Sequence, residues 1–69
     1  MKNKFSENLR TLRLELGLSQ KALAEKLGKK RTSVFEWETN GHEPDYDTLI
    51  EIANFFNVTL DYLLGRTEF

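Results

Sequence analysis

Cysteine is absent from all 69 residues, which excludes a disulfide framework and a thiolate metal site as supplements to the core. Histidine is nearly as scarce, with His42 standing alone. The Asp and Glu residues show no spacing that suggests a metal cage or an acid/base pair. Catalysis is therefore disfavoured, and neither a metal nor a small-molecule cofactor is expected. Long apolar runs are missing too. Nothing approaches the roughly 20 residues that span a bilayer, and Met1-Lys2-Asn3-Lys4 leads into no apolar signal core. These absences argue against a membrane partner and point to the cytoplasm. The chain also lacks strand-like alternation, internal repeats, linkers and low-complexity segments.

What is present is 39% apolar residues, enough for one small domain spanning 1–69 whose core is only just large enough to fold unaided. Such a chain has room for a scaffold and one surface. The formal net charge of −1 is unlike that of most nucleic-acid binders, which are basic, but the charges are unevenly spread. Residues 1–31 carry nine of the ten Lys/Arg against three Glu, a balance of +6, and residues 32–69 carry one Arg against eight acids, a balance of −7. This asymmetry is open to two readings. The charges are ordinary solvated helix faces, or they form one basic face, since screening confines their action to about 8 Å at physiological ionic strength.

Periodicity predicts five short helices and an all-α fold. Phe5, Leu9, Leu12 and Leu16 fall on one helical stripe, so a helix is expected from about Ser6 to Leu16, closed by Gly17, with Leu14 off the stripe and exposed. Ser19 is a natural N-cap for Gln20 to Leu27, where Leu23, Ala24 and Leu27 share a face before Gly28 stops the helix. After the turn Lys29-Lys30-Arg31, Thr32 to Thr39 places Val34 and Trp37 three apart on an inward side, leaving Thr32, Ser33, Phe35 and Glu36 to the sides or outward. Asn40 to Pro44 reads as a loop. Asp45 then caps a helix with buried positions Leu49, Ile52, Ala53 and Phe56, Asn57 closes it, and Thr59 caps a last helix carrying Leu60, Leu63 and Leu64. Residues 1–4 and 66–69 are expected to fray.

In this five-helix order, GLSQKALAEKLG, the Val34 and Trp37 pair followed by Glu38, the NG..EP loop and the TLIEIANFFNVTLDYLLG tail resemble the helix-turn-helix domain of the lambdoid phage repressor and Cro group, the Xre family. The resemblance covers residues 5–65 and places small residue, glycine, aliphatic and aromatic (Ala24, Gly28, Val34, Trp37) at the family's offsets. It implies a lambda-repressor-like fold with the helix-turn-helix at 20–39. The implied function is that of a sequence-specific transcriptional regulator, a repressor, which lays helix 32–39 into the major groove of a double-stranded, pseudo-palindromic DNA operator.

The resemblance also assigns roles by position. Gln20 corresponds to a phosphate-contacting glutamine at the start of the positioning helix. Lys29 and Lys30 depart from the usual apolar and small polar residues of that turn, and either contact phosphates or are simply solvated. Arg31, Thr32, Phe35 and Glu36 fall where the family reads bases: Arg31 toward guanine O6 and N7, Thr32 toward a base or thymine methyl, Phe35 toward thymine methyls or the core edge, Glu36 toward cytosine N4. Ser33 is expected to hold a phosphate or cap the helix. Asn40 and His42 follow in a loop that approaches the DNA backbone, with Asn40 as a phosphate contact and His42 readable as a solvated loop residue. Trp37 goes to the core. An ion pair between Arg13 and Glu38 is implied, and it would set how the recognition helix sits on the first. Phe55, Tyr62 and Leu64 are candidates for a homodimer interface through the last two helices, or for completing a thin core. A protein-binding module of the same fold, an antitoxin or adaptor, is the rival reading, favoured by Glu36 and by the acidic C-terminal half.

Overall fold

Three of the five helices start and stop at residues whose side chains or backbone freedom best satisfy loose helix ends. In the computed structural model, which describes residues 4–66, the order is α1 (Phe5–Glu15), α2 (Gln20–Leu27), α3 (Arg31–Thr39), α4 (Tyr46–Phe56) and α5 (Leu60–Leu64). There is no strand among the described residues. Ser19, Asp45 and Thr59 accept hydrogen bonds from the backbone N–H groups of Ala22, Thr48 and Tyr62, so three helix N-termini are capped by short polar side chains. At the other ends Gly28 and Asn57 adopt left-handed conformations (φ 70° and 58°), and each helix closes on the following N–H, Lys29 to the Ala24 carbonyl and Val58 to that of Ala53.

The core draws from every helix: Phe5, Leu9 and Leu12 from α1, Leu23 and Ala24 from α2, Val34 and Trp37 from α3, Leu49, Ile52 and Ala53 from α4, Leu63 from α5. Burial of each Leu or Ile contributes about 1.5–3 kcal/mol. Ala24 is fully buried on α2, which packs against α3 and α4, so a larger side chain there would overpack the core. α1 packs on both α3 and α5. The Ser6 hydroxyl donates to the Trp37 carbonyl near the end of α3. The Asn8 amide donates to the carbonyls of Tyr62 and Leu63, satisfying acceptors that a five-residue helix leaves open. α1 therefore bridges α3 and the C-terminal helix α5.

Two apolar positions differ from the helical stripe read in the sequence. Leu16 is 56% exposed, because α1 ends at Glu15 and Leu16 is already the cap residue before the chain turns at Gly17. The inward place at that end is taken by Arg13, which is buried. Phe56, the last residue of α4, is half-buried at the rim of the core, set edge-on against Phe55 with ring centroids 4.9 Å apart. Leu14 is exposed, as its place off the stripe predicts. The expected fraying of residues 1–4 and 66–69 concerns mostly residues outside those described. Of the two described, Lys4 donates its N–H to the Leu64 carbonyl and Arg66 to that of Asp61.

Candidate nucleic-acid interface

Consecutive residues of a helix are set about 100° apart, so α3 divides into an inner side with Val34 and Trp37 and an outer arc running through Arg31, Phe35, Thr39, Thr32 and Glu36. Burial follows this division. Val34 and Trp37 are buried, Arg31, Thr32, Phe35 and Thr39 are exposed, and Ser33 and Glu36 lie at the edges, half-buried. α3 begins at Arg31, one residue before the sequence suggested, and its N-cap Lys30 makes no side-chain cap hydrogen bond. Ser33 does not cap the helix; its N–H donates to the Lys30 carbonyl within the first turn. The N-terminus of α3 therefore presents free N–H groups, the positive end of its dipole and the exposed Lys29, Lys30 and Arg31 together.

Glu38 anchors the inner side. Arg13 meets its carboxylate with two roughly parallel bonds, Nε to Oε2 at 2.7 Å and the second guanidinium nitrogen to Oε1 at 2.9 Å, and also donates to the Leu18 carbonyl at 2.8 Å. The Glu38 hydrogen bond raises the Arg13 pKa beyond its already high ordinary value. Gln20 completes the group by donating its amide to Glu38 Oε1 at 3.1 Å. One buried carboxylate thus joins α1, α2 and α3.

With its amide held by Glu38, Gln20 lines one wall of an open cleft of about 250 Å³ together with Arg31, Thr32 and Phe35. The cleft offers a guanidinium, a hydroxyl and an aromatic face side by side, the chemistry needed to meet a base edge and a methyl group. At the opposite flank, Glu36 accepts from the Asn40 amide at 2.7 Å and lies 3.8 Å from His42 Nε2. The charge of Lys29, after the stronger hydrogen bonds from Thr48, helps hold the Asp45 carboxyl below its ordinary range.

The structure thus gathers Gln20, Arg31, Thr32 and Phe35 around one cleft, puts Lys29 and Lys30 beside it, and sets Glu36 and Asn40 together at the far flank. Reading the sequence missed Thr39, at the centre of the exposed arc; its place four residues after Phe35 was the signal. Of the residues expected at a dimer interface, Tyr62 is 49% exposed, whereas Phe55 and Leu64 are half-buried against the core. Tyr46 and Ile50, four apart on α4, are further exposed apolar residues, Tyr46 at 81%. No group of side chains among the described residues could hold a metal ion, and no helix among them is long and apolar enough to cross a membrane.

Comparison with known proteins agrees with this geometry. A helix-turn-helix family model matches residues 9–63. The HTH-type transcriptional regulator YqaE of Bacillus subtilis, itself uncharacterized, is 48% identical over 60 residues, which cover 87% of this chain and 52% of YqaE. The chain spans about half the length of such curated relatives. A transcriptional regulator from Listeria innocua superimposes with a TM-score of 0.88 at 30% identity, covering 100% of this chain and 64% of that one. The P22 c2 repressor, in complex with a synthetic operator, superimposes with a TM-score of 0.83 at 27% identity over 91% of this chain and 96% of the repressor. With the cleft and anchored helix described above, these matches lead to one assignment: the chain belongs to the helix-turn-helix family of the phage repressor and Cro type, the Xre family.

Proposed function

We propose that this chain is the DNA-binding part of a cytoplasmic transcriptional regulator, a repressor that acts by occupying an operator and performs no chemistry of its own. The observation that carries the reading is the outer arc of α3. Arg31, Thr32, Phe35 and Thr39 are exposed on a helix whose other side is locked by Val34, Trp37 and the Arg13–Glu38 pair. A helix held this way enters a major groove without reorganising. Lys29, Lys30, Ser33 and the N-terminus of α2 at Gln20 supply phosphate contacts and hence affinity, while Arg31, Thr32 and Phe35 supply base preference. The net charge of −1 is no obstacle, because Lys29, Lys30 and Arg31 stand together at the α2–α3 turn and Glu38 is buried and paired.

We further propose a homodimer on a pseudo-palindromic site, with Tyr62 the leading contact and Phe55 and Leu64 behind it. Two recognition helices then lie about 34 Å apart, one turn of duplex. Selection of bound sequences from a random duplex pool, followed by titration of the enriched site at several salt concentrations, tests both points. The expected outcome is a two-fold symmetric motif whose log affinity falls linearly with log salt. Absence of any complex with random duplex at micromolar protein and low salt overturns the reading in favour of a protein-binding module.

A further inference from the structure

Glu36 is the one acid on the outer flank of α3, and an acid near phosphates weakens binding to every sequence unless a base-edge donor meets it. Its surroundings are more organised than a solvated flank requires. The Asn40 amide donates to Glu36 Oε1 at 2.7 Å. The backbone N–H groups of Asn40 and His42 both donate to the Glu36 carbonyl, at 3.0 and 3.3 Å. Gly41, in the left-handed region (φ 72°), lets the chain double back over it, and His42 Nε2 comes to 3.8 Å from the same Oε1. The segment after α3 is thus folded onto Glu36 through both its carbonyl and its carboxylate.

From this arrangement we propose that Asn40 is a positioning residue for Glu36, and that the pair reads a C·G base pair in the major groove. This rests on the DNA-binding reading above. The Asn40 amide donates to Oε1 and restrains the carboxylate, with Oε2 available to accept from one cytosine N4–H. Thr32, Glu36 and Asn40 are four apart along one edge of the helix, so Asn40 stands behind Glu36, one turn farther from the leading end. Its side chain therefore acts through Glu36 and not on a phosphate, a role different from the one its position in the loop suggested. Glu36 and Arg31 flank the arc on opposite sides, so the two would report on different base pairs.

The test compares wild type, Glu36→Gln, Asn40→Ala and Asn40→Gln in binding to the selected site and to duplexes changed at one base pair at a time. Wild type is expected to prefer cytosine at one position per half-site, and Glu36→Gln to abolish that preference. Asn40→Ala should reduce it about tenfold, with binding to random duplex within about twofold of wild type, and Asn40→Gln, which keeps an amide donor, should restore most of it. A phosphate contact or a purely structural role predicts instead that Asn40→Ala weakens cognate and altered sites by the same factor. That result, or an undiminished cytosine preference, overturns the proposal while leaving DNA binding intact. If wild type selects no sequence at all, the DNA reading falls and takes this inference with it.

Discussion

Arg13 and Glu38, 25 positions apart in the chain, meet through a two-bond contact with the closest approach at 2.7 Å and only 9% and 2% of their side chains exposed. Removing one member of such a pair leaves a buried charge without its counterpart, whereas removing both leaves no charge to desolvate.

The first expected outcome follows from that difference. Arg13→Met or Glu38→Leu alone should cost about 3–5 kcal/mol, a third or more of the roughly 3.5–10 kcal/mol that a chain of this length possesses. The double replacement should cost less than either single change. A double-mutant cycle by urea denaturation measures the coupling, and single losses below about 1 kcal/mol would show that solvent screens the pair, as for surface ion pairs.

The N-cap of α4 predicts a pH dependence. Thr48 hydrogen bonds, with a smaller contribution from Lys29, lower the Asp45 pKa in the folded state. A group lowered on folding stabilises the fold above its unfolded pKa, near 4 for Asp, and that contribution fades as pH falls through the lowered folded value. Asp45→Asn, which keeps a capping oxygen without the charge, should melt below wild type at pH 7. The gap should close in acid, and a gap independent of pH between 7 and 2 would show that the charge contributes nothing.

Gly28 and Gly65 are both left-handed caps, with φ 70° and 76°, but their surroundings differ. A Cβ at Gly28 meets nothing within 4 Å, while one at Gly65 comes to 2.7 Å from the Lys4 Cβ. Gly28→Ala should therefore cost the left-handed penalty alone, about 1–2 kcal/mol. Gly65→Ala should cost about 1–3 kcal/mol more, because the Lys4 Cβ is fixed to a backbone whose N–H is bonded to Leu64. Melting temperatures of the two variants check the order, and equal losses would mean that the chain at Lys4 shifts freely.

Arg31 and Lys30 are adjacent in sequence, and the proposed function gives them different roles. Arg31 lines the cleft with Gln20, Thr32 and Phe35, whereas Lys30 is the N-cap residue beside it. Arg31→Ala should relax preference at one base position by about 1–3 kcal/mol, and Lys30→Ala should weaken binding to all duplexes and reduce the salt slope by about one. Anisotropy titrations on cognate and random duplex separate the two, and equal losses on both duplexes for Arg31→Ala would end the division.

The helices and their order were legible in the residues because the signals are local. Ser19, Asp45 and Thr59 cap as their types suggest, and Leu23, Val34, Trp37, Leu49 and Ile52 fill the core that their spacing implies. Leu16 misled because periodicity carries no information on where a neighbouring helix stops. Thr32 misled as the first residue of α3 because Lys30 starts that helix without a side-chain cap.

The sequence by itself determined the architecture and the family, since turn residues, caps and apolar spacing act over a few residues and need no partner to be read. Tertiary structure alone decided which polar groups are engaged. The Gln20 amide goes to Glu38 and the Asn40 amide to Glu36, beside an Arg13–Glu38 pair that the resemblance had already implied. Those outcomes depend on which side chains meet when separate helices pack, and a hydrogen bond or a desolvated charge takes its value from that meeting.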